Sequence, residues 1–282
     1  MKIGFIGQGW IGKNYADNYE ARGFDTVRYS LEPEYVGNKD KISECDITFI
    51  AVPTPSTATT VDVTAVESAL KCIGIGRVAV IKSTVPPETT QKLHKKFPRI
   101  MLFHSPEFLR EKFARQDVDK PDRNIIGIPY LRTVGERTAY EFVAMKILKT
   151  LPEATHDRII SSTESELIKY AGNVFLTMKV IYANMLYDLS VGLNIDYDNV
   201  SEIMSLDPRI GDSHLTVNEG GRGAGGHCFI KDLEAFRQIY DKNTNSLKGR
   251  NVINALIMKN NELLRNSKKD LDLLEQIYGK RM

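Results

Sequence analysis

The sequence predicts an α/β protein whose N-terminal half is a doubly wound parallel sheet and whose C-terminal half is all-α, built on one long helix. Two observations carry this. Short apolar runs at 2–6, 47–52, 78–82, 100–103 and 124–128 alternate with helix-length segments, as βαβ units require. From Thr163 to about Leu193 the apolar residues fall at helical spacing without a proline. The expected domains are therefore 1–162 and 163–282.

Taken in order, the first strand runs straight into Gly7, Gly9 and Gly12, and a helical segment follows. A second strand is expected at Thr26–Ser30, and the 31–46 connection after it is too short for a full crossover helix. Ala51, Val52, Pro53, Thr54 and Pro55 end the third strand, and Lys82, Ser83, Thr84, Val85, Pro86 and Pro87 end the fourth. Ser105 and Pro106 read as a helix cap and first-turn proline, with Glu107 and Glu111 one turn apart on that helix. Thr163 is expected to cap the long helix, and two or three more helices should follow. The charged, amphipathic stretch 251–282 is expected to pack against a partner subunit.

Composition narrows the function classes. The 282 residues carry 38 Lys and Arg against 36 Asp and Glu, a formal charge of +2, which gives no electrostatic case for nucleic acid or an anionic membrane as partner. Cys45, Cys72 and Cys228 have no metal-ligand spacing, so no metal is expected and reduced thiols in a cytoplasmic protein are. No uninterrupted apolar run approaches the length of a membrane span.

Gly7, Gly9 and Gly12 form G-x-G-x-x-G between a strand and a helix, the context in which the motif cradles a pyrophosphate on a helix N-terminus, with Trp10 and Ile11 inside it. The fold is then Rossmann-type. The acidic residue that takes the adenosine ribose hydroxyls should end the second strand, yet Ser30 stands there with Arg28 two residues before it. That leaves NADP open beside NAD, with Glu32 as an alternative carboxylate. Strand carboxyl ends line the ligand crevice of such sheets, so Val52, Pro53, Thr54, Ser83 and Thr84 are expected to face the nicotinamide or the substrate.

The run Gly225, Gly226, His227, Cys228, Phe229, Ile230, Lys231, Asp232 places a thiol in the first turn of a helix, where the macrodipole favours a thiolate. Lys231 and Asp232 lie three and four residues on, hence on the same face. A glycine-capped helix with a packed cysteine is the other reading of these eight residues.

These segments, with Lys169 and Asn173 one turn apart in the long helix and Asp207, Pro208, Arg209, Ile210, Gly211, closely resemble the UDP-glucose/GDP-mannose dehydrogenase family over roughly residues 1 to 260. The resemblance implies oxidation of a nucleotide sugar's primary alcohol to a carboxylate by two NAD-dependent steps. It implies that Cys228 forms a thiohemiacetal and then a thioester, and that Lys169 and Asn173 stabilise the oxyanion. Asp232 and Thr84 orient water or relay a proton, and Glu107 is the base for thioester hydrolysis. Glu107, Phe108, Leu109, Arg110, Lys169, Asn173, Arg209 and Gly225 would contact substrate, and Glu111 and Lys231 would support the cofactor side. Arg209 would reach the neighbouring site of a homodimer formed through the long helix. The resemblance also implies a third domain that supplies much of the nucleotide site, and this chain is expected to lack it. Two other readings stay open: a two-electron dehydrogenase of a small hydroxy acid, similar to the β-hydroxyacid dehydrogenases, and a silent dinucleotide-binding subunit.

Overall fold

A computed structural model describes residues 1–279. The chain divides into two compact units, 1–55 with 62–169, and 56–61 with 170–282. The division falls inside the long helix, seven residues beyond the boundary expected from sequence at 162, because the helix's first two turns pack with the sheet.

The first unit holds a seven-stranded sheet in the order β2-β1-β3-β4-β5-β6-β7. Its strands are β1 (Lys2–Ile6), β2 (Asp25–Tyr29), β3 (Ile47–Ile50), β4 (Val78–Ile81), β5 (Met101–His104), β6 (Arg123–Ile128) and β7 (His156–Ser161). The pairs are parallel except β5 with β6, which meet antiparallel at His104 and Gly127, so the sheet is mixed where all-parallel was expected. β7 escaped the sequence reading because its residues are mostly exposed and form no apolar run.

Alternation along the strands builds two cores. Ile3, Phe5, Ile47, Phe49, Val80 and Phe103 face α1 (Trp10–Ala21), α4 (Ala114–Asp119) and α5 (Val134–Thr150). Ile6, Ile50, Ala79, Ile81 and Leu102 point the other way, onto α2 (Thr64–Leu70) and α3 (Thr89–Lys96). Two short 3-10 turns, Val36–Asn38 and Asp40–Glu44, take the place of a crossover helix between β2 and β3, as the short connection demands. No helix starts at Ser105: residues 105–110 are irregular, a 3-10 turn covers Glu111–Phe113 and α4 begins at Ala114. Pro106 leads into this irregular segment, in which buried Glu107 pairs with Lys169.

The long helix is α6 (Ser162–Gly192). Its cap is Ser161, not Thr163: the Glu164 amide donates to Ser161 Oγ at 3.2 Å, and the Ser161 amide donates to Glu164 Oε2 at 2.9 Å. By length and composition α6 is apolar enough to cross a membrane, with mean hydropathy 1.2 over an 18-residue window. The sequence reading missed this because it looked for unbroken runs, and α6 interleaves its apolar residues with Lys169, Asn173, Lys179 and Asn184.

In the second unit α7 (Tyr197–Ser205), α8 (Gly226–Asn243), α9 (Leu247–Asn266) and α10 (Leu271–Tyr278) follow. Val174 packs with Leu233 of α8 and with Ile253 and Ile257 of α9. Ile230 packs with Leu264, Leu274 and Ile277. Ile253, Ile257, Leu264, Leu274 and Ile277 of the C-terminal stretch thus pack within their own unit, while Val252 and Met258 stay exposed.

Candidate functional site

In the first unit the glycine loop has the geometry a pyrophosphate needs. Gly7 sits at φ +92° and its amide donates to Tyr29 O at 2.8 Å, turning the chain off β1 beside the end of β2. A Cβ on Gly12 would lie 1.9 Å from Gly7 O, so only glycine lets α1 start this close to the strand. A Cβ on Gly9 would meet nothing within 4 Å. Gly9 is the α1 N-cap, with no side-chain cap and no acidic residue in the first turn, so the leading amides face open space. Trp10 and Ile11 begin the helix behind it, both partly buried. The loop fits a dinucleotide.

At the end of β2, Arg28 is committed elsewhere. Its Nη2 bonds Asp17 Oδ1 and Glu20 Oε2, both at 2.6 Å, and its Nε bonds Glu20 Oε1 at 2.8 Å, with the side chain 13% exposed. Desolvation is more than offset by these two carboxylates, which hold the guanidinium firmly charged. Ser30 Oγ accepts from the Glu32 amide at 3.2 Å and donates to Glu32 Oε2 at 3.4 Å. Arg28 is thus held by α1, and the carboxylate missing from the strand end is replaced two residues later by Glu32, bonded to Ser30.

The strand-end hydroxyls divide into two roles. Ser83 Oγ accepts from Val52 N at 2.9 Å and donates to Val52 O at 2.8 Å, and Thr54 Oγ1 donates to Thr84 O at 2.7 Å. Ser83 and Thr54 are buried and tie the ends of β3 and β4 together, so they position rather than present. Of the three hydroxyls expected to face a ligand, only that of Thr84 is not used in this tie; Pro53 beside it is exposed.

Glu107 Oε1 pairs with Lys169 Nζ at 2.7 Å, with side chains 2% and 5% exposed. Glu107 Oε2 accepts from Leu109 N at 2.8 Å. The Phe108 ring lies 3.8 Å below the Arg123 guanidinium and 5.9 Å from Lys169 Nζ. Lys82, from the strand-end motif, is a second buried ammonium here: its Nζ donates to Ser105 Oγ at 3.2 Å and sits 4.2 Å over the Tyr15 ring. Burial drives its pKa down to about 7, although Glu107 pulls the other way. Sequence reasoning passed over Lys82 as part of a turn; a lysine immediately following four strand residues is the signal that could have marked it. Arg110 and Glu111 do not join this group, since Arg110 bonds Asp117 at 2.6 Å and both are exposed.

In the second unit Cys228 is the third residue of α8, whose N-cap is Gly225, close to the start expected from the glycines. Asp232, 1% exposed, accepts from Asn173 Nδ2 at 2.6 Å and pairs with Lys231 Nζ at 2.5 Å. That fixes the Asn173 amide on α6 against α8. Lys231 is thus spent on Asp232 rather than left to a cofactor. Arg209 is ion-paired with Asp207 in an exposed turn, its side chain 88% exposed. A cavity of about 440 Å3 in this unit is lined by Asn184, His214, Gly225 and Phe229 among others, next in sequence to the thiol. Among the described residues no group of three His, Cys, Asp or Glu side chains has the proximity a metal needs.

Residues 34–141 match the NAD binding domain of the UDP-glucose/GDP-mannose dehydrogenase family, and residues 163–262 match that family's central domain. The chain is 30% identical over 287 residues to UDP-glucose 6-dehydrogenase AglM of Haloferax volcanii, covering 83% of this chain and 64% of the relative. It is 31% identical to the putative UDP-glucose 6-dehydrogenase YtcA of Bacillus subtilis, covering 86% and 64%. It thus spans just under two thirds of the length of these relatives. Among solved structures, a UDP-glucose dehydrogenase from the archaeon Pyrobaculum islandicum superposes with a TM-score of 0.77 at 28% identity, over 93% of this chain and 68% of that one. A UDP-D-ManNAc dehydrogenase from Pyrococcus horikoshii gives 0.76 at 19% identity, a likeness of fold.

Proposed function

The chain belongs to the UDP-glucose/GDP-mannose dehydrogenase family, and from that premise we propose that it oxidises the primary alcohol of a UDP-glucose-like nucleotide sugar to a carboxylate in two NAD-dependent steps. The reading is supported by two sets of buried groups, one in each unit, whose chemistry the reaction calls for. One is the Glu107–Lys169 ion pair in the sheet unit. The other is Asn173 locked by Asp232 beside the first turn that holds Cys228.

Oxidising an alcohol to an acid removes four electrons, and a covalent acyl carrier holds the intermediate between the two steps. The nicotinamide, when bound, supplies the hydride acceptor. Thr84 and Asp232 relay the proton released from the alcohol. Cys228 Sγ adds to the aldehyde carbon and the carbonyl oxygen takes a proton, giving a thiohemiacetal. Loss of a hydride from that carbon and of the proton from its hydroxyl leaves a thioester on Cys228. Water activated by Glu107 attacks it, the C–S bond breaks, the acid leaves and the thiol is restored. Lys169 and Asn173 stabilise the oxyanion at each tetrahedral stage, an effect of several kcal/mol in a site closed to water. Phe108, Leu109, Arg110 and Gly225 line the substrate side in this reading, and Glu111 supports the loop from its exposed turn. The domain assignment, 1–162 for dinucleotide and 163–282 for the helical half, belongs to the same proposal, as does a cytoplasmic location.

The proposed assembly is a homodimer through α6. Phe175, Met178, Tyr182, Met185 and Leu189 are exposed at alternating spacings of three and four residues, the seam of a helix that pairs with a second copy. Arg209, on an exposed turn, is then placed to serve a neighbouring site. Light scattering should give twice the chain mass, and a monomer would overturn the assembly.

The activity is tested by counting reduced dinucleotide per acid formed from UDP-glucose. Two equivalents are expected. Cys228→Ser should lower acid formation about a thousandfold or more. One equivalent, or full acid production by the variant, sinks the covalent route.

A further inference from the structure

The glycine-rich turn ahead of Cys228 is held by side chains that come after it in sequence, from α9 and from the corner between α9 and α10. Asn260 Oδ1 accepts from Ala224 N at 2.7 Å, and its Nδ2 donates to Ala224 O at 3.0 Å. Ser267 Oγ donates to Arg222 O at 3.1 Å. Lys269 Nζ donates to Gly221 O at 3.1 Å and Gly223 O at 2.9 Å. Asp270 Oδ2 accepts from Gly226 N, the leading amide of α8, at 2.7 Å. Asp270 does this from a left-handed backbone at φ +52°, a conformation that aspartate and asparagine adopt more readily than other side chains. It lies so close to the turn that a Cβ on Gly225 would be 1.9 Å from its Oδ2.

A turn with three glycines between 221 and 225 has little conformational preference of its own. What fixes it are these bonds, and the residue it delivers two positions after Gly226 is Cys228. We propose that Lys269 and Asp270 are positioning residues for the Cys228 thiol: a latch that closes on residues 221–226 and sets where α8 begins. Both lie beyond the 163–262 match to the family's central domain. The inference rests on Cys228 being the nucleophile. Asn260 anchors the middle of the turn from a fully buried position, and Asp270 fixes its last amide.

The test compares Asp270→Ala, Asp270→Asn and Lys269→Met in the whole chain by hydrogen exchange and by steady-state kinetics, with melting curves to confirm the fold. Asparagine tolerates the left-handed backbone and keeps an acceptor for Gly226 N, whereas alanine has neither property. Asp270→Ala and Lys269→Met should speed amide exchange in 221–228 about tenfold and lower kcat for acid formation about tenfold, at unchanged KM for the dinucleotide. Asp270→Asn should stay within about threefold of the parent in both. Wild-type exchange in Asp270→Ala overturns the latch, and so does an asparagine variant that melts normally yet fails as badly as alanine. The exchange arm reads the latch without catalysis, so a parent protein that forms no acid overturns the proposed function while the latch stands or falls on its own.

Discussion

The two units hold glycine-rich turns by opposite means. In the sheet unit Gly7, Gly9 and Gly12 are set by backbone against backbone: Gly7 N on Tyr29 O, and Gly12 pressed to Gly7 O closely enough to exclude a methyl group. In the helical unit residues 221–226 are set by side chains reaching back from Asn260, Ser267, Lys269 and Asp270. The first turn is fixed by main-chain contacts. The second is conditional on side chains 36 to 48 positions away.

A paired substitution breaks this comparison most directly. Gly12→Ala puts a Cβ 1.9 Å from a carbonyl oxygen on β1's exit that cannot move without disturbing the sheet. Urea unfolding should show a loss of about 4 kcal/mol, with dinucleotide binding gone. Gly225→Ala puts a Cβ equally near Asp270 Oδ2, which is the end of a side chain and can swing away. Its cost should be about 1 to 2 kcal/mol, the worth of one charged hydrogen bond. Equal losses would remove the distinction between the two turns.

A smaller effect sharpens the account of how the sheet unit is closed. Glu166, on the first turns of α6, accepts from Thr90 N at 2.7 Å, and burial pushes its carboxyl up to about 7. The folded protein then holds a proton that the unfolded chain releases near pH 4.5. Stability should therefore fall as pH rises from about 4.5 to 7, by about 2 to 3 kcal/mol from this group. Glu166→Gln should flatten that slope in urea unfolding measured across the window, and an unchanged slope would place its origin elsewhere.

How much could be read beforehand follows the same division. The glycine loop, the strand ends and the start of α8 are legible because local spacing dictates them. The Asp232 contact to Asn173 follows from motifs on two helices once those helices are known to pack. For Ser83 and Thr54, a hydroxyl at a strand end can point to a ligand or to the next strand, and only the register shows the bonds they make here. The antiparallel β5–β6 contact and β7 depend on long-range pairing that leaves no periodic trace. Lys269 and Asp270 sit in the charged, amphipathic stretch whose packing was expected to be against a partner subunit, not against the turn before Cys228. Nothing near them in sequence tells what they hold.

The commitment of Arg28 to Asp17 and Glu20 has a practical consequence for anyone redesigning coenzyme preference. The usual route edits the strand end, adding a basic residue and deleting an acid. In this chain a guanidinium already stands two residues before that place, restrained by a helix. Redirecting the protein toward the phosphorylated dinucleotide therefore begins with the outer face of α1, by releasing a charge the fold already owns.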